Sequence, residues 1–272
     1  MIKLIVSDMD GTILNSSKKL TEKTKDAIRF ARINGVNFTI ATGRMYSSAA
    51  IFARQLDVNL PIIACNGALI KNHLTKEVLY EKPIVKSNAL QVCNVLDDCG
   101  LYYHMYTQDK FFTKELKYTS LNYWNNNKTA KKEDLIDIEI IDNFISICND
   151  NYKILKFVAI EDECPEKLIN AKNMIADLNG LEVSKSWENN LEIMAKDISK
   201  GNALSILANI YGYDMSEVLA LGDQQNDISM IEKAGMGVAM DNADEYVKSR
   251  ADFITESNDL DGVANAIMNL FK

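Results

Sequence analysis

Three short apolar runs in this chain each break off into a polar cluster. Ile2–Ser7 leads into Asp8-Met9-Asp10-Gly11-Thr12, Val36–Ala41 into Thr42-Gly43-Arg44, and Val218–Leu221 into Gly222-Asp223-Gln224-Gln225-Asn226-Asp227. Continuous, β-branched apolar runs of this length read as strands buried on both faces, which is the habit of a parallel sheet. The pattern between them agrees. Leu20, Thr24, Ala27, Ile28 and Ala31 fall on one helical face, with Thr21 as N-cap and Gly35 just past the end. Ser47–Leu56 reads as a second helix and Ile62–Cys65 as a third strand, which Asn66-Gly67 turns back into Ala68–Ile70 as a hairpin. A βαβαβ run of this kind specifies parallel strands joined by crossover helices.

The last third repeats the rhythm. Asn202–Tyr211, Asp227–Ala234, Ala243–Ser249 and Leu260–Phe271 read as helices, with strands at Val218–Leu221, Val238–Met240 and Phe253–Thr255. The middle differs: alternating stretches at Leu101–Tyr106 and Ile154–Ile160 stand among helical patterns at Ser87–Cys99, Leu116–Trp124 and Pro165–Leu178. Strands with helices on one side make an α+β unit. The expected fold is therefore α/β: a Rossmann-like, doubly wound core from residues 1–83 and 188–272, interrupted by an inserted α+β domain at 84–187.

In an open parallel sheet, ligands bind beyond the carboxyl ends of the strands. The three runs would deliver Asp8, Asp10, Thr42, Asp223, Asn226 and Asp227 to one crevice. Carboxylates gathered there repel, by roughly 4 kcal/mol for a pair about 4 Å apart at an effective dielectric of 20. Any one Asp could simply cap a turn. All of them at the ends of buried strands point instead to a hard divalent cation, and few oxygen ligands with retained waters describe Mg²⁺ better than Ca²⁺.

Asp8-x-Asp10-Gly11-Thr12 resembles the first motif, DxDGT, of the haloacid dehalogenase (HAD) superfamily. Thr42 of Ala41-Thr42-Gly43-Arg44, Lys200 of Ile198-Ser199-Lys200-Gly201, and Gly222 to Asp227 as GDxxND match the second, third and fourth motifs, in order. The stretch from Val238-Ala239-Met240 to Asp261-Gly262-Val263 resembles the C-terminal signature of the Cof-type branch, with Asp241 where that branch often has Gly. The resemblance covers the two core segments and makes the insert a cap that sets substrate specificity. It implies Asp8 as the nucleophile that accepts the phosphoryl group. Asp10 becomes general acid and then base, and Mg²⁺ is held by Asp8, the Asp10 main-chain carbonyl and Asp223, with Asp227 orienting a bound water. The phosphoryl oxygens would be gripped by the Thr42 hydroxyl, the Met9 and Gly43 amides, Asn226 and Lys200. A carboxylate nucleophile splits one hard step into two, and phosphoryl transfer mostly needs positioned donors.

The implied function is Mg²⁺-dependent hydrolysis of small phosphomonoesters, such as sugar phosphates or phosphorylated cofactors. A phosphotransferase or mutase would use the same nucleophile. A phosphate-accepting regulatory module would not suit Asp10, which hastens hydrolysis. A net charge of −8 and a pI near 5.0 give no sign of the basic face that nucleic acid or a membrane would call for, and the expected partner is the small phosphorylated metabolite that the resemblance implies. No run approaches the roughly 20 apolar residues of a membrane span. Met1–Val6 is too short for a signal h-region, and five cysteines without a CxxC pair read as thiols of a reducing compartment. A cytoplasmic protein is expected.

Other features divide between roles. Arg44, directly after the Thr42 loop, suits either a substrate contact or an ion pair at a helix start. Asn66-Gly67 could touch the leaving group, but a hairpin turn suffices to explain it. His73 and His104 match no motif, Lys128, Lys131 and Lys132 read as a solvated face, and the aromatics from Tyr102 to Trp124 read as the core of the insert.

Overall fold

The computed structural model describes residues 1–150 and 152–271. The chain divides into two compact units, one made of Met1–Arg44, Ala49–Leu79 and Ser199–Lys272, the other of Met45–Ser48 and Tyr80–Ile198.

The chain opens with β1 (Leu4–Ser7), α1 (Glu22–Ile33), β2 (Asn37–Ile40), α2 (Tyr46–Gln55), β3 (Ile62–Ala64), β4 (Leu69–Lys71) and β5 (Val78–Glu81). All four residues of β1 are buried, as expected of a strand covered on both faces. Thr24, Ala27, Ile28 and Ala31 form the buried stripe of α1, and the Thr21 side chain accepts the Thr24 N–H at its start. The second unit holds α3 (Lys86–Asp98), β6 (Tyr102–Tyr106), β7 (Lys110–Thr113), α4 (Tyr118–Asn127), β8 (Asp137–Ile140), α5 (Phe144–Asn149), β9 (Lys156–Ile160), α6 (Pro165–Ala176), β10 (Leu181–Ser184) and β11 (Asn190–Ala195). The chain then completes the first unit with α7 (Lys200–Tyr211), β12 (Val218–Gly222), α8 (Ile228–Ile231), β13 (Met236–Met240), α9 (Glu245–Lys248), β14 (Phe253–Thr255) and α10 (Gly262–Asn269).

In the first unit, parallel strands run in the order β14-β13-β12-β1-β2. The chain leaves β1 for β2 on one side, and β12 lies on the other. The order therefore reverses at β1, which makes the gap between β1 and β12 the switch point of the sheet. The third strand differs from the sequence expectation. Among the described residues β3 meets this sheet through a parallel bridge between Ala41 and Ile63, and it belongs to a separate sheet with β4 and β5. Its hairpin to β4 is antiparallel, but a short 3₁₀ turn at Cys65–Gly67 makes the connection longer than two residues.

In the second unit the order is β10-β11-β9-β6-β7-β8, antiparallel except for β7 and β8. Strand alternation sends Tyr103, Met105, Phe157, Ala159, Leu191 and Ile193 to one face, where all are buried and where Tyr103 meets Phe144 with ring centroids 4.4 Å apart. Most of the aromatic crowd is thus core, while Trp124 is exposed. β11 pairs with both β9 and β10. The unit accordingly runs past Trp187, where the change of pattern placed its end, and Glu192 on β11 is buried against Lys156 at 2.8 Å.

Candidate active site

Strand register decides which side chains can meet. Ser7, the last residue of β1, lies opposite Ile40 of β2 and Leu221 of β12. The residues that follow emerge at one level: the Asp8 N–H donates to Leu221 O at 2.9 Å, and the Ala41 N–H to Ser7 O at 3.0 Å. Asp8 and Asp223 therefore stand on either side of the switch point, with Thr42 next along.

Close packing holds this level. Gly11 has φ +83°, and a Cβ there would lie 2.2 Å from Asp223 Oδ2. Only glycine gives both the left-handed turn and the approach of the two loops. The neighbouring Thr12 hydroxyl donates to Asp223 Oδ1 at 2.6 Å. A Cβ on Gly222 would lie 2.4 Å from the Asp227 Cβ, so the second loop is equally tight.

Lys200 opens α7 behind its N-cap Ser199. Its ammonium is 1% exposed and donates to Asp8 Oδ1 and Asp227 Oδ1, each at 2.6 Å. Asp227 Oδ2 accepts the backbone N–H groups of Asp223 and Gln224 at 3.0 and 2.9 Å. Asp227 thus ties the fourth-motif loop to Lys200 with both oxygens. Burial would lower the Lys200 pKa, but the charges of Asp227 and Asp8 outweigh it and hold the ammonium above its ordinary value. Burial, then the charge of Asp227, pushes Asp8 well above the usual carboxylate range against the pull of Lys200. The same two causes raise Asp223 to about 7, opposed by the Thr12 hydrogen bond.

These shifts describe negative charge in excess of its compensation. One oxygen from each of Asp8, Asp223 and Asp227 lies within 4.8 Å of the others, and all three residues are buried. Three carboxylates face one ammonium, so the residues fit a divalent cation by charge and, being all oxygen donors, a hard one.

The Asp10 carboxylate stands apart from that trio. Arg44 grips it with two bonds of 2.6 Å, Nε to Oδ2 and the guanidinium NH₂ to Oδ1, and Lys18 adds a third at 3.0 Å. Burial would raise its pKa, yet the Arg44 and Lys18 bonds lower it to about 2. Arg44 therefore makes an ion pair within the site loops, and its own N–H donates to the Thr42 hydroxyl at 3.2 Å. Thr42 is buried at the end of β2, with Gly43 following it. The Met9 side chain is wholly buried, so only its main chain could face a ligand. Asn226 donates from its amide nitrogen to Asn66 Oδ1 at 3.3 Å. His73 and His104 lie outside this set; His104 stacks on Phe111 with centroids 4.6 Å apart.

The sequence model of the haloacid dehalogenase-like hydrolases matches residues 5–267. The chain belongs to this family. Among its HAD relatives is the pyridoxal phosphate phosphatase YbhA of Escherichia coli, 31% identical over 265 residues, 97% of each chain. Another is the 5-amino-6-(5-phospho-D-ribitylamino)uracil phosphatase YwtE of Bacillus subtilis, 31% identical and covering 99% of this chain and 98% of that one. A haloacid dehalogenase-like hydrolase from Bacteroides thetaiotaomicron superposes with a TM-score of 0.85 at 30% identity, covering 100% of both chains. The protein is thus a HAD enzyme of the phosphatase type. No helix among the described residues is long and apolar enough to cross a membrane.

Three contacts of the HAD site escaped the sequence reading: Thr12 on Asp223, Lys18 on Asp10, and Asn66 on Asn226. Thr12 and Asn66 each carried a usable signal, Thr12 as the last residue of the first motif and Asn66 as the second residue past the end of β3.

Proposed function

We propose that this protein hydrolyses small phosphomonoesters with Mg²⁺, passing the phosphoryl group through Asp8. The observation that carries this reading is the buried set of Asp8, Lys200, Asp227 and Asp223 at the switch point, with Lys200 Nζ 2.6 Å from both Asp8 and Asp227. Asp8 and Asp223 would hold Mg²⁺ with the Asp10 main-chain carbonyl, and Asp227 would reach it through water, because both its oxygens already have partners. Mg²⁺ would keep these carboxylates ionised and neutralise charge on the phosphoryl oxygens.

The remaining steps belong to the chain. Asp8 attacks phosphorus in line, and the bond to the leaving oxygen breaks as the acyl phosphate forms. Lys200, the Thr42 hydroxyl, the amides of Met9 and Gly43 and the Asn226 side chain grip the phosphoryl oxygens, the positioned donors that phosphoryl transfer needs. Asp10 gives a proton to the leaving alkoxide and later takes one from the water that attacks phosphorus, as the bond from phosphorus to the Asp8 oxygen breaks and inorganic phosphate leaves. The Arg44 and Lys18 bonds hold Asp10 ionised, so its acid form requires that pair to open as an anionic substrate arrives. The inserted unit, which continues to Ile198, would set the choice of leaving group.

The small-molecule phosphate esters named for the Escherichia coli and Bacillus subtilis relatives support this substrate class, with phosphorylated cofactors and their precursors the first to try. The test is release of inorganic phosphate from p-nitrophenyl phosphate and from a panel of phosphorylated metabolites, with Mg²⁺ and with chelator. Release that needs Mg²⁺ supports the reading. Release unaffected by chelator, or none from any ester, overturns it.

A further inference from the structure

The turn after β3 is built in a way that a simple hairpin does not require. Cys65, Asn66 and Gly67 have φ of +51°, +57° and +104°, three left-handed residues in succession. Only glycine visits that region freely, and for the others it carries a strain of order 1–2 kcal/mol per residue. The strained turn is also pressed into its surroundings. A Cβ on Gly67 would lie 2.4 Å from Ser199 O and 2.9 Å from the Ala203 Cβ, so the turn sits against the start of α7, where Lys200 begins. The Asn66 N–H donates to Thr42 O at 3.0 Å, and the Cys65 N–H to Arg44 O at 2.9 Å. Asn66 Oδ1 accepts from the Asn226 amide nitrogen at 3.3 Å. One turn therefore touches the Thr42 loop, the Lys200 helix start and Asn226, the three segments that carry the proposed side-chain donors to phosphate.

We propose that Asn66 is a positioning residue for phosphate recognition, acting through the side-chain amide of Asn226. The inference rests on the role given above to Asn226. A phosphoryl oxygen only accepts hydrogen bonds, so Asn226 serves it only with its nitrogen correctly placed. A primary amide can be turned over, exchanging its oxygen and nitrogen at almost no steric cost. With Asn66 Oδ1 facing it, the Asn226 nitrogen is the matching partner, because the turned amide would set two oxygens against each other. Asn226 then has a second N–H to offer, while its own Oδ1 is buried with no hydrogen-bond partner among the described residues. Asn66 is itself 2% exposed, and Asn tolerates the left-handed backbone better than other side chains do. Its identity thus satisfies the turn and the amide together.

The test compares Asn66→Gly, which keeps the left-handed turn and removes only the amide, with Asn226→Ala and the double variant. The readouts are kcat, KM for p-nitrophenyl phosphate and Ki for inorganic phosphate. Asn66→Gly is expected to raise KM and Ki by about fivefold to fiftyfold, the loss for one misdirected hydrogen bond to a charged group, with a smaller change in kcat. The double variant should be no worse than Asn226→Ala, since the two side chains act as one unit. KM and Ki within about twofold of the parent in Asn66→Gly, or multiplying effects in the double variant, overturn the proposal. If Asn226→Ala leaves the phosphate Ki unchanged, the assigned role of Asn226 fails and this inference fails with it. Should Asn66→Gly not fold, Asn66→Asp also tolerates the turn and places a negative charge beside Asn226. It should raise Ki by about tenfold or more, and a parent-like Ki refutes the proposal.

Discussion

Replacing Lys200 with Met keeps the volume of the side chain and removes the one ammonium that faces Asp8 and Asp227, each at 2.6 Å. Both carboxylates are buried, so among the described residues the variant removes the cation that pairs with them. Breaking a buried ion pair by removing one partner typically costs about 3–5 kcal/mol, because the remaining charge is neither solvated nor paired. Here two carboxylates lose the same partner, which places the expected loss at the upper end of that range. Part of it is recovered when one carboxyl takes up a proton, as the raised position of Asp8 already favours. Urea unfolding of the full chain, followed at neutral pH in chelator, should show the loss as a fall in midpoint. Added Mg²⁺ should stabilise the variant more than the parent, since a ligand that binds only the folded state adds to its stability. Turnover should fall by about 10²–10³ or more, the effect of removing one positioned donor to a charged transition state. A variant within about 1 kcal/mol of the parent in chelator, with unchanged response to Mg²⁺, would show that Lys200 does not compensate these carboxylates.

Gly11→Ala should destroy activity and Mg²⁺ response while the protein stays folded, since its Cβ would lie 2.2 Å from Asp223 Oδ2; circular dichroism with a phosphate-release assay checks both. Asp10→Asn should lower turnover by about 10²–10⁴ on sugar phosphates and less on p-nitrophenyl phosphate, whose leaving group needs little protonation; equal losses on both would count against Asp10 as the acid. The acid sensitivity of the 80–198 unit should depend on His104, whose pKa burial, helped by the charge of Lys156, lowers from 6.5 to about 3. The unfolded chain binds this proton below about pH 6.5 and the folded unit does not, so stability is lost as pH falls from 6.5 toward 3, by about 2 kcal/mol at pH 5. His104→Gln should flatten that slope in urea midpoints measured between those values.

Much of the core was legible because its strands are continuous apolar runs and α1 begins on the capping residue Thr21, although Ser199, which caps α7, was not read and that helix starts two residues earlier than its pattern indicated. β3 was legible as a strand but not as part of another sheet, since its single bridge to β2 leaves no trace in hydropathy. The second unit was harder. α5 spans only six residues, and β10 is half-buried, so neither shows a full period. β11 hides Glu192 by pairing it with Lys156 of a neighbouring strand, a contact no local pattern records. In the site, residue types and order pointed to Asp8, Asp10, Thr42, Lys200, Asp223, Asn226 and Asp227. The partition among them was not legible: Asp10 turns to Arg44 and Lys18, while Asp8, Asp223 and Asp227 gather. That division depends on side-chain direction across elements up to 211 residues apart, as for Thr12 and Asp223.

The central claim is that Asp8 carries the phosphoryl group during turnover. Rapid acid quench of the enzyme with Mg²⁺ and a substrate labelled in its phosphate, followed by peptide mass spectrometry, tests it directly. The expected result is one phosphoryl group on the peptide containing Asp8, released by hydroxylamine as an acyl phosphate is, and absent from an Asp8→Asn variant that no longer turns over. Label on any other residue, or an Asp8→Asn variant that retains parental turnover, would contradict it.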